Sequence, residues 1–245
     1  SALISLALSP WRKLHASRND QAYITMMGFD VDSFEKILDK FSPVFLTHTP
    51  FDASGMIVPL DDHRGRKRKV LPADCLGLVL VWTRTRGSMN VLQLVFGLTY
   101  TNLNVYLRFG IRLIVEIFRS DPLARVSLPS ADDIASYMSA FSERHPLLTD
   151  CWATMDGLKL HLQASGNSDI QERFYNGWTH DHYVTSVFCF CPDGTIPIAF
   201  FNVPGSVHDS QVAEMGKIYQ KLEKIYNETS GKCCVDLAFG NMDRQ

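Results

Sequence analysis

With 245 residues, 46% hydrophobic and 20% charged, the chain has the composition of a folded globular protein, which excludes a disordered or fibrous one. Its formal net charge of -2 excludes a global pull towards nucleic acid, so any such affinity must come from a local patch. No apolar run reaches the roughly 18 residues of a membrane span, and the start at Ser1, without a signal-peptide pattern, reads as a processed or partial chain.

Residues 1–28 are weakly patterned and read as peripheral. Val31 to Phe45 reads as a helix, because Phe34, Ile37, Leu38 and Phe41 recur at three- and four-residue spacing, with Asp32 or Ser33 as cap. The broken segment from Thr47 to Pro72 contains Arg64, Arg66, Lys67, Arg68 and Lys69, five cations in six residues. Two readings stand side by side: a solvated loop, and a phosphate-contacting arm or nuclear localisation signal.

Ala73 to Thr83 reads as a buried helix. Val91 to Phe96 follows as a short helix, Gly97-Leu98-Thr99 as a turn, and Tyr100 to Phe118 as a longer helix with Leu103, Leu107, Ile111 and Ile114 facing inward. This is the outline of a helix-turn-helix over 91–118, although any helical bundle corner has the same outline. In the DNA-binding version Thr101, Asn102 and Asn104 open the second helix and reach phosphates or base edges. Ala131 to Phe141, capped by Ser130, completes an all-helical region over 1–148.

After Asp150 the periodicity changes from helix to strand. In Cys151 to Gln163, Leu158, Leu160 and Leu162 alternate with Lys159, His161 and Gln163, the pattern of a half-buried strand. Asp156 lies in phase with those leucines, so a regular strand would bury it unless a bulge at Gly157 re-aims it; as part of Asp-Gly it also reads as a turn residue. A polar connection over 164–181 leads to a central strand at Tyr183 to Cys191, a Pro192-Asp193-Gly194 turn and a return strand at Thr195 to Val203. A helix from Val207 to Asn227 capped by Ser206, with Met215 on its inner face, and a strand at Lys232 to Phe239 complete the order. A right-handed crossover returns that last strand parallel to the first. If that strand lands beside the first, Asp156 and Asp236 become neighbours, and a divalent cation between them relieves their repulsion.

The cysteines at 75, 151, 189, 191, 233 and 234 form no CxxC pair, and all but Cys75 lie in apolar strand-like surroundings. They read as buried reduced thiols of an intracellular protein rather than as disulfides or a zinc cage. His180 and His182 flank Asp181 with no third ligand at short spacing, and read as structural or solvent-facing.

Four segments carry a family resemblance: MDGLKL (155–160), YNGWTHDHYV (175–184), CPDGTIPIAFFNVPGSVHDSQV (191–212) and CVDLAFG (234–240). Together they resemble the PIF/Harbinger group of DDE transposases, from about residue 151 to the end of the chain. The resemblance implies an α+β protein: a helical DNA-binding region over 1–148, then an RNase H-like mixed-sheet endonuclease domain over 149–245. It implies Asp156 and Asp236 as catalytic acids holding Mg²⁺ or Mn²⁺, and Asp209 of the PGSVHD motif as a supporting acid; helix capping explains Asp209 equally well, and His208 shares that ambiguity.

The implied reaction is two-metal hydrolysis of DNA phosphodiester bonds followed by strand transfer. The implied partners are double-stranded DNA, a second transposon-encoded DNA-binding protein and further copies of the chain, in the nucleus and away from membranes. The third acid of the family, a glutamate, should follow Asp236 on a later helix; Glu214, Glu223 and Glu228 all precede it, so the catalytic domain reads as truncated and impaired. Two alternatives remain: a domesticated or decayed transposon-derived DNA-binding or scaffold protein without catalysis, and an RNase H-like nuclease acting on RNA or on hybrids.

Overall fold

The structure, a computed structural model, describes residues 5–50, 58–59, 68–85 and 87–239. Backbone contacts divide the chain into two compact units, Ser1–Arg125 and Val126–Gln245. Arg64, Arg66 and Lys67 of the basic run lie outside the described residues.

The first unit contains α1 (Pro10–Ser17), α2 (Asp20–Met27), α3 (Val31–Thr47), α4 (Pro72–Thr85), α5 (Met89–Phe96) and α6 (Tyr100–Ser120), with a short ladder between β1 (His48–Thr49) and β2 (Val58–Pro59). Of the expected peripheral stretch 1–28, the described part is not peripheral: Trp11, Tyr23 and Met27 are core residues. Two eight-residue helices are too short for periodicity to reveal, but their ends are well specified. Ser9 caps α1 with Pro10 in its first turn, Asn19 caps α2, and Gly28 closes α2 in the left-handed region at φ 82°. The cap of α3 is Asp30, which accepts the Ser33 N–H, rather than Asp32 or Ser33.

The middle of α4 is buried from Asp74 to Val81. A Cβ at Gly77 would lie 2.2 Å from the Trp11 ring, so glycine is what admits the indole. Beside it, Asp74 is 3% exposed and accepts from Trp11 Nε1 at 3.1 Å, Arg12 Nε at 2.7 Å and Leu71 N at 2.8 Å. The α5–Gly97–α6 corner forms with the expected boundaries to within two residues, and Gly97 closes α5 at φ 61°. The buried face of α6 is Leu103, Tyr106, Leu107, Phe109 and Leu113, with Ile111 and Ile114 half-buried.

The second unit runs α7 (Ala131–Arg144), β3 (Cys151–His161), α8 (Ser168–Phe174), β4 (Tyr175–Asn176), β5 (Asp181–Phe190), β6 (Ile198–Pro204), α9 (Asp209–Met215), α10 (Ile218–Thr229) and β7 (Lys232–Val235). Although its pattern groups α7 with the helical half, it packs with the sheet: Ile134 joins the core around Trp152, and the Tyr137 hydroxyl donates to Asp193 at 2.7 Å. The sheet order is β4–β5–β3–β7, with β6 also on β5. β7 lies parallel to β3, as the crossover requires, and the other pairings are antiparallel.

The expected long helix over 207–227 is two helices. Gly216 packs so tightly on Phe200 that a Cβ would approach to 2.7 Å, and Lys217 at φ 52° turns the chain between α9 and α10. The break turns Met215 outward, 57% exposed, instead of into the core. His208, not Ser206, is the cap of α9. The connection over 164–181 also contains α8 and β4, which its polarity concealed. All six cysteines are free, with Cys75, Cys151, Cys189 and Cys191 buried.

Candidate active site

β3 is the strand on which the site is organised. Its register with β5 is unbroken from Thr154↔Phe190 to His161↔Tyr183, so Gly157 carries no bulge. The irregularities lie elsewhere, between Cys151 and Ala153 against β7 and between Thr185 and Val187 against β6. Asp156 therefore keeps the phase of Leu158, Leu160 and Leu162, and the expectation that this phase is buried is overturned. The three leucines are 46%, 39% and 39% exposed, and Asp156 is exposed with them. The core lies against the other face, through Met155, Val187 and Cys189. An acid on the open face needs no re-aiming.

The parallel ladder of β3 with β7 ends at Met155↔Val235. The next residue on each chain is an aspartate, Asp156 and Asp236, both exposed. β7 stops there because Asp236 turns the chain: its Oδ1 accepts the Ala238 N–H at 3.0 Å and a 3₁₀ turn begins at Leu237. Asp156 Oδ1 accepts the Gly157 N–H at 2.7 Å. Neither carboxylate has a cationic partner among the described residues, so both keep free oxygen ligands of the kind Mg²⁺ and Mn²⁺ take.

Asp209 comes to the same strand from below. A Cβ at Gly157 would lie 2.9 Å from Asp209 Oδ2, and the Thr185 hydroxyl donates to Asp209 Oδ1 at 3.0 Å. Successive residues of a strand point to opposite faces, so Asp209 lies on the face away from the Asp156 side chain. Among the described residues, no group of three or more His, Cys, Asp or Glu side chains is arranged to hold a metal ion.

Other expected residues are placed as follows. Thr101 and Asn102 are exposed at the start of α6, whereas Asn104 Nδ2 donates to Tyr100 O at 3.0 Å. Arg68 lies 4.6 Å over the Phe45 ring and donates to Leu46 O, while Lys69 is exposed. His208 accepts the Ser210 N–H as the α9 cap. His180 meets the Tyr175 hydroxyl at 3.1 Å in a left-handed turn, and His182 packs on the Tyr175 ring. A contact that the sequence did not signal joins His161 Nδ1 to Asp181 Oδ2 at 2.8 Å, and hydrogen bonds to Asp181, the His182 N–H foremost, hold its carboxyl below the ordinary range.

A mixed α/β unit whose sheet has one parallel pair beside antiparallel ones is consistent with an RNase H-like fold. Residues 155–243 match the sequence profile of the family described as DDE superfamily endonuclease. No curated protein and no solved structure matches the chain. The profile match supports a DDE transposase-like nuclease, a class whose substrate is DNA and which generally uses divalent metal ions. No helix among the described residues is long and apolar enough to cross a membrane.

Proposed function

We propose that the second unit is a DNA phosphodiester endonuclease of the PIF/Harbinger type, with Asp156 and Asp236 as its metal-holding acids. The observation that supports this reading is the end of the β3–β7 ladder at Met155↔Val235, after which the next residue of each chain segment is an aspartate, Asp156 and Asp236. A bound divalent ion supplies Lewis acidity and a water of lowered pKa. The chain's own part is to hold two carboxylates side by side on an open strand end, accessible to a phosphate backbone. Asp209 supports the site from the opposite face by bracing Gly157 and Thr185. The exposed first turn of α6 and Lys69 serve DNA contact, with Arg64, Arg66, Lys67 and Arg68 as the rest of a basic arm, in a nuclear protein. The same active site, with the liberated 3'-hydroxyl as nucleophile, serves strand transfer.

Two carboxylates without a third ligand among the described residues hold a metal weakly, so nicking by the 245-residue chain alone is expected to be slight. Mn²⁺ titration followed by water proton relaxation tests the site directly. Binding by the wild type that disappears in Asp156→Asn and in Asp236→Asn is expected; binding indifferent to both would remove the site. Robust nicking of plasmid DNA abolished by Asp156→Ala would overturn the expectation of weak activity.

The exposed Thr101, Asn102 and Lys69 support one second reading, a DNA-binding or scaffold protein without catalysis. It predicts metal-independent, salt-sensitive DNA affinity that is lost when Arg64 to Lys69 are neutralised.

A further inference from the structure

The two units carry opposite charge. Ser1–Arg125 holds sixteen lysines and arginines against eleven carboxylates, a net +5; Val126–Gln245 holds eight against fifteen, a net -7. The overall -2 therefore conceals a basic half. Within that half several cations are occupied: Arg12 pairs with Asp74, Arg18 with Glu35 and Lys40 with Asp121. Arg108, Arg112 and Arg119 on α6 differ. All three are exposed, and none meets a carboxylate or another hydrogen-bond acceptor among the described residues.

Their spacing places them in one row. At about 100° per residue, positions 101, 108, 112 and 119 fall within about 20° either side of a single line along the helix. The row from Arg108 to Arg119 is about 16 Å long and is continuous with Thr101 in the first turn. It lies opposite the stripe of Leu103, Leu107 and Leu113 that enters the core. Like charges at four-residue spacing destabilise an isolated helix, and Glu116, the one acid of α6, forms no ion pair with Arg112. The packing of α6 gives no reason for the row.

We propose that Arg108, Arg112 and Arg119 form a phosphate-tracking rail that lies along the backbone of duplex DNA while the first turn of α6 enters the groove. This rests on the DNA-directed reading above and extends it to residues that reading does not use. A line of unpaired guanidiniums matches a polymer carrying one negative charge per about 1.7 Å of axis. An anionic membrane is the poorer partner, because an interfacial helix needs its apolar face free and α6 spends that face in the core.

The test is the salt dependence of binding of the full 245-residue chain to a 30-base-pair duplex of mixed sequence. Arg108→Gln/Arg112→Gln/Arg119→Gln is expected to make the log–log salt slope shallower by about 2.7 and to weaken binding on the order of 100-fold at 0.15 M salt, at about 0.9 per lost contact. The loss should be equal across unrelated duplex sequences, whereas Thr101→Ala and Asn102→Ala should change discrimination between them. The triple Lys variant should restore the slope, which excludes a folding defect as the cause; Lys221→Gln/Lys224→Gln in the acidic unit should leave it unchanged. An unchanged slope in the Gln variant, with wild-type binding intact, overturns the rail alone. A wild type that does not bind the duplex overturns the DNA-directed reading with it. Binding to phosphatidylserine vesicles in preference to the duplex overturns the rail in favour of a membrane.

Discussion

The Asp209 carboxylate closes off the space that a side chain at Gly157 would fill. An ideal Cβ there would meet Oδ2 at 2.9 Å, Cγ at 3.0 Å and Oδ1 at 3.3 Å. Backbone conformation does not demand the glycine, since its φ is not in the left-handed region. What demands it is a carboxylate, bound to the Thr185 hydroxyl, resting against the strand that carries Asp156.

Gly157→Ala is therefore expected to displace Asp209 by several tenths of an ångström and weaken its bond to Thr185, costing about 1–2 kcal/mol. Asp209→Ala removes the atoms in conflict, so the double variant should recover much of the loss. Chemical denaturation of the four proteins in a double-mutant cycle measures the coupling; additive effects would show that the contact carries no energy.

Asp156 and Asp236 should behave as one unit towards metal. If both ligate the same ions, Asp156→Asn removes nearly all Mn²⁺ binding and Asp156→Asn/Asp236→Asn removes little more. Independent, additive losses in the titration would mean that the two positions do not share a site. Both side chains are exposed, so each substitution should change stability by less than about 0.5 kcal/mol, which separates a binding defect from unfolding.

The sequence made the ladder legible and the faces illegible. The order of strands, the turn at Pro192 to Gly194 and the parallel return beside Asp156 all follow from period and connection rules, and the structure contains them. Alternation of burial holds only around Ala153 to Asp156, where Ala153 and Met155 are buried and Thr154 and Asp156 exposed; from Leu158 on both faces are exposed, and a pattern that separates two faces does not name the covered one. Leu158, Leu160 and Leu162 stand on the open face, whereas Met155 and Ala153, weaker in hydropathy, meet the core. Burial is decided by α7, α9 and α10 arriving from elsewhere in the chain, and no local window contains them. The break at Gly216 is of the same kind, since its cause is Phe200, sixteen residues upstream. Asp209 beside Gly157 was hidden for that reason too.

In the first unit Asp74 should be the most consequential polar residue. It is 3% exposed and receives N–H groups from Trp11, Arg12 and Leu71. Asp74→Ala leaves an indole N–H and a guanidinium without their acceptor, at a cost of about 3 kcal/mol or more. Because the chain has two units, a single unfolding midpoint is a poor readout. Amide hydrogen exchange resolved by segment should show protection lost in α1 and α4 and retained in β3 and β5; uniform loss across both units would contradict a local role.

Tyr137 and Asp193 make the stability of the second unit depend on pH at both ends of the scale. The hydrogen bond to Asp193, aided by burial, pushes the Tyr137 hydroxyl up to about 12. Burial alone would raise the Asp193 carboxyl, but the Thr195 N–H and the Tyr137 hydroxyl outweigh it and hold the group below its ordinary value. A lowered carboxyl pKa contributes stability above the unfolded value of about 3.9, and that contribution is lost as pH falls through the folded value. A raised tyrosine pKa contributes below the unfolded value of about 10, and is lost as pH rises through about 12. The contact thus holds α7 to the β5–β6 turn across the neutral range and releases it at either extreme. Both groups are largely solvated, so screening reduces the contribution to roughly 0.5 kcal/mol. Tyr137→Phe should lower stability by that amount at pH 7 and flatten the pH profile below 4 and above 10, as read by urea denaturation across pH. A variant with the wild-type slope at both ends would show that the pair does not govern the docking of α7.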